Sequence, residues 1–390
     1  MFTIGHASSC VGLLAAALLL AIGGPVGLAA AEPAYRMTFL DDRTHSEQIV
    51  EARVLVEAVD GGVLAEDVEG RLWSITPDRL RSKIGTAQEF EFMDADSLGE
   101  ALRAELGAGF ESHKTPHYVI CSDTGDAYAE WVGTLFERLQ RAFLQTWRQA
   151  GWDLAEPAAP LPAVVFRTQQ EFAAYALKDA GPEVADKPGY YSIRTNRIVL
   201  YDLATAGMNE GALDLGEVER RVASAPERVA TIVHEATHQI AFNCGMHTRY
   251  ADTPMWLAEG LAMYCETPDL KTGSGWRTIG RLNVDRLRQY REFTAQRRAG
   301  DSLQTLICDE ARFRDPSRMP DAYAESWALV DYLMRDRRDE LVKYMQGIAA
   351  KPRLHWEDGD TRLAEFTAVF GDLQDIEADC SRHIRRLRAR

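Results

Sequence analysis

The sequence predicts an α+β fold, with a small antiparallel β domain followed by a larger body whose C-terminal half is mainly helical. Residues 47–76 alternate between apolar and polar side chains in short runs separated by glycine turns. Apolar residues recur at helical spacing from about residue 126 to 149, and the patterns after residue 202 are almost all helical. The chain has 390 residues and 46% hydrophobic content, which is typical of a globular protein.

The first 31 residues have the layout of a secretory signal peptide. An uncharged apolar run from Val11 to Ile22 precedes a Gly-Gly-Pro break and a stretch of small residues ending at Ala31. Unlike the usual pattern, the segment before the apolar run has no Lys or Arg, and an uncleaved anchor is the alternative interpretation. We therefore expect residues 1–31 to direct export to the periplasm or the medium. No later stretch has the length of a membrane span.

Composition narrows the function classes. The formal net charge is −15, and none of it comes from residues 1–31, so the mature surface repels phosphate backbones and nucleic-acid binding is not expected. Five cysteines follow residue 31, which permits at most two disulfides in an oxidising compartment. The chain has no CxxC or CxxxC pair, which argues against a zinc site made of thiolates.

Residues 32–100 are predicted to form the small β domain. Its strands are "EQIVEARVLVEAV", "VLAED" and "RLWSIT", with turns at Asp60-Gly61-Gly62 and at Glu69-Gly70. This segment contains no group of residues that indicates chemistry.

Residues 101–390 form the predicted main body. It begins with the strand "HYVICSD" and a long helix from about Asp126 to Gln149, followed by the strand "AVVFR", the helix "QQEFAAYAL" and the two-stranded ribbon "GYYSIRTNRIVLYD", which turns at Thr195-Asn196. His113 and His117 flank the first strand. Residues four apart on an extended segment do not share a face, so we do not expect these two to bind a metal together.

The segment "TIVHEATHQIAF" carries the main chemical signal. "SAPE", Ser224 to Glu227, reads as a capping box, and Gly245 is a plausible stop, so a helix is predicted over about 225–243. His234 and His238 are four residues apart and share one helix face, where both imidazoles can reach one ion. Glu235 lies about 100° around the helix, where a general base can stand beside a metal-bound water.

A catalytic zinc needs a third protein ligand, and "ADTPMWLAEGLAMYCE" offers Glu259. A second helix is predicted over about 254–266, capped by Asp252 or Thr253, with Pro254 at its first position. Gly260 costs about 1 kcal/mol in a helix interior, which indicates a close approach of helices, as expected where two helices converge on one ion.

Spacing alone does not identify Glu259 as the third ligand. A metzincin would need Gly at 241 and His at 244, but the chain has Ala241 and Cys244, so that class is excluded. His247, Asp252 and Glu266 remain alternatives to Glu259.

The segments "HEATHQ", "PMWLAEGLAMYCE" and "YAESWALVDYL" together resemble the gluzincin branch of the peptidase MA clan. The resemblance is greatest to an exported bacterial family of uncharacterised domains in that clan, and it extends from about His117 to Tyr344. It implies a zincin-like, thermolysin-like catalytic domain within residues 101–390, with a mixed sheet. It also implies Zn²⁺ as cofactor, with Glu235 as general base and three ligands: His234, His238 and Glu259.

The same resemblance suggests how a substrate is held. The ribbon would match a sheet edge to which an extended peptide adds as a further strand, although an ordinary hairpin explains the same letters. Tyr323 would stabilise the oxyanion, with a buried packing role as its alternative and His247 as the runner-up for this task.

The sequence departs from the family pattern at two places, Met263 and "GMNEG". Met263 stands where thermolysin-type enzymes have an Asp that orients a histidine, which leaves Asp252 or Glu266 for that role. "GMNEG" at 207–211 has the letters of an aminopeptidase motif in the wrong order, so exopeptidase activity is not indicated. Cys244 and Cys265 each lie six residues beyond a ligand, and either a disulfide or two buried thiols is conceivable.

The predicted function is therefore that of an exported zinc endopeptidase acting on peptides or proteins. The alternative is an inactive binding protein with a peptidase fold that recognises extended peptides.

Overall fold

A computed structural model describes residues 32–205, 213–271 and 275–388. The predicted signal segment 1–31 and the "GMNEG" segment 207–211 lie outside the described residues. The described chain has a mixed α/β fold with two five-stranded sheets and thirteen α-helices. None of these helices combines the length and the apolar character that a membrane crossing requires.

The first sheet is antiparallel throughout, and its spatial order is β4-β3-β2-β1-β5. Its strands are β1 (Pro33–Leu40), β2 (Glu47–Glu57), β3 (Val63–Asp67), β4 (Leu72–Ile75) and β5 (Leu80–Glu89). The three predicted strands are confirmed as β2, β3 and β4. Sequence alternation missed β1 and β5, which pair with each other and complete the sheet.

The second sheet is mixed, as predicted, and its order is β6-β7-β8-β10-β9. Its strands are β6 (Glu111–Lys114), β7 (Tyr118–Ser122), β8 (Leu161–Phe166), β9 (Gly189–Ser192) and β10 (Arg197–Tyr201). The central strands β7, β8 and β10 are parallel, while β6 and β9 run antiparallel at the two edges. The predicted ribbon is confirmed as the β9–β10 hairpin, and β9 forms an edge of the sheet.

The helical C-terminal half is also confirmed. The helices are α1 (Ala95–Leu106), α2 (Asp126–Gln149), α3 (Gln169–Asp179), α4 (Leu215–Ala223), α5 (Pro226–Asn243), α6 (Met255–Cys265), α7 (Val284–Gln296), α8 (Ser302–Cys308), α9 (Ala311–Arg314), α10 (Met319–Asp336), α11 (Arg338–Ala349), α12 (Gly359–Phe370) and α13 (Leu373–Arg386). Most of the buried apolar side chains of the main body form one continuous core between the second sheet and these helices.

The start of α5 differs from the prediction. Ser224 ends α4, and its hydroxyl donates to the Arg221 carbonyl over 2.6 Å. The N-cap of α5 is Ala225, which makes no side-chain capping bond, so the predicted capping box is wrong. Ser224 keeps a helical backbone, with φ of −81° and ψ of −12°, whereas an N-cap residue is typically extended. The stop is confirmed, because Gly245 has φ of +83° just after the last turn.

The predicted cap of α6 is also wrong. This helix begins at Met255, with Pro254 as the N-cap and no side-chain capping bond. The buried Asp252 carboxylate instead pairs with the Arg362 guanidinium and lies 3.4 Å from the Lys351 ammonium. Taking a buried carboxylate away from its charged partners costs about 3–5 kcal/mol, which is more than an N-cap typically contributes.

The close helix approach predicted from Gly260 is confirmed, but its partner at this position is α10 and not α5, the other helix that carries the candidate ligands. A Cβ atom at this position would lie 2.6 Å from Val330 Cγ2 and 2.7 Å from the Ser326 carbonyl oxygen. The glycine therefore lets α10 pack directly against the face of α6 that adjoins Glu259.

Candidate metal centre

Three side chains from two helices converge in the interior. His234 and His238 come from α5, Glu259 comes from α6, and all three are buried. The His234 Nε2 atom lies 3.1 Å from His238 Nε2 and 3.1 Å from Glu259 Oε2, while His238 Nε2 lies 3.8 Å from Glu259 Oε2. The two helices thus bring together the residues that the spacing and the family resemblance selected.

These distances fit a metal ion. A point about 2 Å from all three ligand atoms exists within this triangle, and about 2.0–2.2 Å is the usual distance from Zn²⁺ to imidazole nitrogen or carboxylate oxygen. The group could therefore bind a metal ion through two nitrogens and one oxygen, which is a ligand set that zinc accepts.

The hydrogen bond behind His234 orients its ring. Glu266 Oε2 lies 3.0 Å from His234 Nδ1, and both side chains are buried. A proton on Nδ1 donated to this carboxylate leaves the Nε2 lone pair directed at the centre of the cluster. Of the two residues proposed for this role, the structure selects Glu266.

The protonation of the two imidazoles reflects their neighbours. Burial lowers the pKa of His234, but hydrogen bonds to Glu259 and Glu266 outweigh it and raise the pKa to about 9. For His238 burial prevails and lowers the pKa. Without a metal, a proton on His234 thus compensates the buried carboxylates, and a metal ion has to displace that proton.

Sequence reasoning missed the residues that hold Glu266. Its Oε1 atom accepts from Asn283 Nδ2 over 2.6 Å and from Arg286 Nε over 3.4 Å. Asn283 caps α7 and Arg286 lies in its first turn, in a segment without a recognisable motif. The contacts depend on where α7 packs, and no local pattern indicates them.

Glu235 lies beside the cluster, not in it. Its Oε2 atom accepts a hydrogen bond of 2.9 Å from the backbone N–H of Tyr191 in β9. The edge strand therefore holds this carboxylate in place and lies next to it.

Tyr323 lies in the first turns of α10. Its hydroxyl is buried and has no hydrogen-bond partner among the described residues, and the Arg286 guanidinium stacks on its ring at 5.7 Å. Burial, together with the negative charges of Glu259 and Glu235, raises the pKa of this hydroxyl well above its usual range. The hydroxyl is thus a protonated donor close to the cluster of His234, His238 and Glu259.

The remaining candidates lie elsewhere or have other roles. His247 packs against Phe242 at 5.3 Å, and neither ring nitrogen has a hydrogen-bond partner among the described residues. Burial and the charge of His238 lower the pKa of His247 to about 3, so its imidazole is neutral. Asp252 is held by its ion pairs, and His117 bonds to Glu137 over 2.9 Å.

Residues 228–355 match the model of a protein family described as a protein of unknown function, DUF1570. The matched segment contains α6, α10 and all but the first two residues of α5, and so it includes Glu235, Tyr323 and the three candidate metal ligands. No curated protein matches the chain.

The cysteines near the site are thiols. All five cysteines in the described residues are free, including Cys244 and Cys265. Of the two alternatives, the structure thus has buried thiols in place of a disulfide, and burial raises the pKa of Cys244 to about 12.

Proposed function

We propose that this protein is a zinc-dependent metallopeptidase of the gluzincin type, with a zincin-like catalytic domain. The observation that carries the proposal is a metal-sized cluster of two imidazoles and one carboxylate with a further carboxylate, Glu235, held beside it. A site that only binds a metal has no need of Glu235, whereas hydrolysis needs a base next to the ligands.

His234, His238 and Glu259 would hold the ion. When bound, Zn²⁺ would make its water acidic near neutral pH and polarise a carbonyl oxygen. Because these are three protein ligands, one coordination position stays available for water or substrate, as in catalytic zinc sites.

Glu235 would take the proton from the attacking water and pass it to the leaving amine. The Tyr191 N–H bond holds the carboxylate in place and favours its ionised form. The protonated Tyr323 hydroxyl would donate to the oxyanion that develops on the carbonyl.

The edge strand β9 would hold the substrate. Its neighbour on one side is β10, and its other side adjoins Glu235. An extended peptide can pair with such an edge, which would place one of its bonds beside the base. The signal-like segment 1–31 supports an exported enzyme acting outside the cytoplasm.

The test is Glu235→Gln, with Glu227→Gln as the matched control on the exposed first turn of the same helix. The glutamine can still accept from Tyr191, so the fold and the bound zinc should persist, while hydrolysis should fall by at least about 10²-fold because the base is lost. Zinc content is measured by atomic emission and cleavage by mass spectrometry on a peptide library.

Undiminished cleavage by Glu235→Gln, or an equal loss in Glu227→Gln, would contradict the assignment. Peptide binding without cleavage by the zinc-loaded native chain would favour the inactive binding protein instead.

A further inference from the structure

The pairing of β9 with β10 defines which side of β9 faces away from β10. Tyr191 stands opposite Ile198, and its N–H donates to Glu235, away from β10. In an antiparallel pair the backbone groups of alternate residues point to the same side. Gly189 and Tyr191 therefore direct their N–H and C=O groups toward the edge on which Glu235 lies. Ile193 is the first residue after β9 and lies in the turn to β10.

Directly after β9, the Ile193 carbonyl already has a partner. Arg249 Nη1 donates to the Ile193 carbonyl over 3.4 Å and to the Gly70 carbonyl over 2.8 Å. Its Nη2 pairs with the Glu66 carboxylate, and both side chains are buried. The arginine is therefore held from three directions and is not free to swing aside.

The first sheet reinforces this contact. The Leu72 N–H donates to the Arg194 carbonyl over 2.7 Å, so β4 begins directly against the turn that follows β9. Arg197 at the start of β10 also pairs with Glu69 over 3.1 Å. We call the group Glu66, Gly70, Leu72 and Arg249 the end wall.

The end wall lies close to the reacting centre. Tyr191 and Ile193 are two residues apart, so at most about 7 Å of extended chain separates them. A peptide that adds to β9 opposite Glu235 meets the end wall after about two of its own residues.

We propose that the end wall closes one end of the substrate cleft, so that the enzyme releases fragments of one or two residues from one end of a peptide. This inference rests on the proposed function. The endopeptidase expected from the sequence would cut internally, so the two ideas differ in their first products.

The experiment uses the zinc-loaded full chain and one twelve-residue peptide in four forms: free, acetylated at the N-terminus, amidated at the C-terminus, and blocked at both ends. Early products are identified by mass spectrometry. We expect one- or two-residue fragments, and the blocked forms show which end enters. Early cuts four or more residues from both ends overturn the inference while leaving the peptidase intact. No cleavage of any peptide overturns the proposed function and this inference with it.

The variant Arg249→Met opens the end wall. The control is Arg71→Met, on the turn between β3 and β4 that also carries Gly70. Arg71 bonds to Glu105 over 3.0 Å, and no hydrogen bond joins its side chain to β9 in the described residues. We expect Arg249→Met to raise the share of fragments longer than two residues at least tenfold, and Arg71→Met to leave it unchanged. An unchanged pattern in a folded Arg249→Met overturns the inference, and the product lengths of the native chain test it if that variant does not fold.

A binding measurement gives a readout apart from turnover. Peptides extended one residue at a time at either end are titrated onto zinc-loaded Glu235→Gln by fluorescence anisotropy. We expect affinity to fall at least tenfold at the third added residue on one end only. Equal tolerance of extension at both ends overturns the inference.

Discussion

Replacing Glu266 tests the carboxylate that orients His234. The hydrogen bond between Glu266 Oε2 and His234 Nδ1 measures 3.0 Å between two buried side chains. A hydrogen bond to a charged group contributes about 1.5–3 kcal/mol, which corresponds to roughly a 10- to 150-fold change in an equilibrium constant. Carboxylates behind metal-binding histidines typically change metal affinity by about 10- to 100-fold.

We therefore expect Glu266→Ala to weaken zinc binding by about 10- to 100-fold, because the His234 ring loses its orienting partner and its Nε2 atom becomes less basic. Glu266→Gln keeps an amide oxygen that can accept from Nδ1 but loses the charge, so its effect should be smaller, about tenfold or less. Affinity is measured by competition with a chromophoric zinc chelator at neutral pH.

Asp252→Asn is the matched control, since Asp252 is also buried and acidic and was the other candidate for this role. Its partners are Arg362 and Lys351, so the variant should lower the free energy of unfolding by about 3–5 kcal/mol without changing zinc affinity. Native-like zinc affinity in Glu266→Ala, or an equal loss in Asp252→Asn, would refute the reasoning.

Three further predictions follow from the geometry. Gly260→Ala should lower the free energy of unfolding, measured in urea, by about 1–3 kcal/mol because the new Cβ collides with α10. Gly347→Ala in α11, where the new Cβ meets open space, should raise it by up to about 1 kcal/mol. Equal effects of the two substitutions would count against the close packing. The pKa of His234 is raised to about 9, so its protonation stabilises the metal-free fold fully below about pH 6.5, and this contribution is lost as the pH rises through about 9. Zinc binding at pH 7 should therefore release a proton, which calorimetry in buffers of different ionisation enthalpy detects. A binding enthalpy that does not depend on the buffer would contradict this. Alkylation of the unfolded, unreduced mature chain should label Cys244 and Cys265 fully, and a disulfide-linked peptide of these two in mass spectrometry would contradict the free thiols.

Some features followed from the sequence because their causes are local. His234 and His238 share a face because four residues make about one helical turn, whatever surrounds the helix. Gly260 indicated a close approach because a glycine inside a helix has a cost that packing must offset. The edge hairpin followed from alternation on both sides of Thr195-Asn196.

Other local signals gave wrong predictions because the structure around the segment, and not the segment itself, determines the contact. Ser224 had the letters of a capping box, but its backbone is helical because it ends the helix before it. Asp252 had the position of an N-cap, but a buried arginine 110 residues away takes its carboxylate. Spacing along the chain contains no information about a partner that arrives from a distant element.

The sequence by itself determined that two histidines and a carboxylate could meet a metal on neighbouring helices, since helix periodicity and the family resemblance were sufficient for that. Only the tertiary structure decided that Glu266 holds His234, that the Tyr191 N–H holds Glu235, and that Arg249 reaches Ile193. These contacts join residues 32, 44 and 56 positions apart. Their physical cause is the packing of α5 between α6 and the edge strand β9, which places distant polar groups within hydrogen-bonding distance in a buried space where they have to be paired.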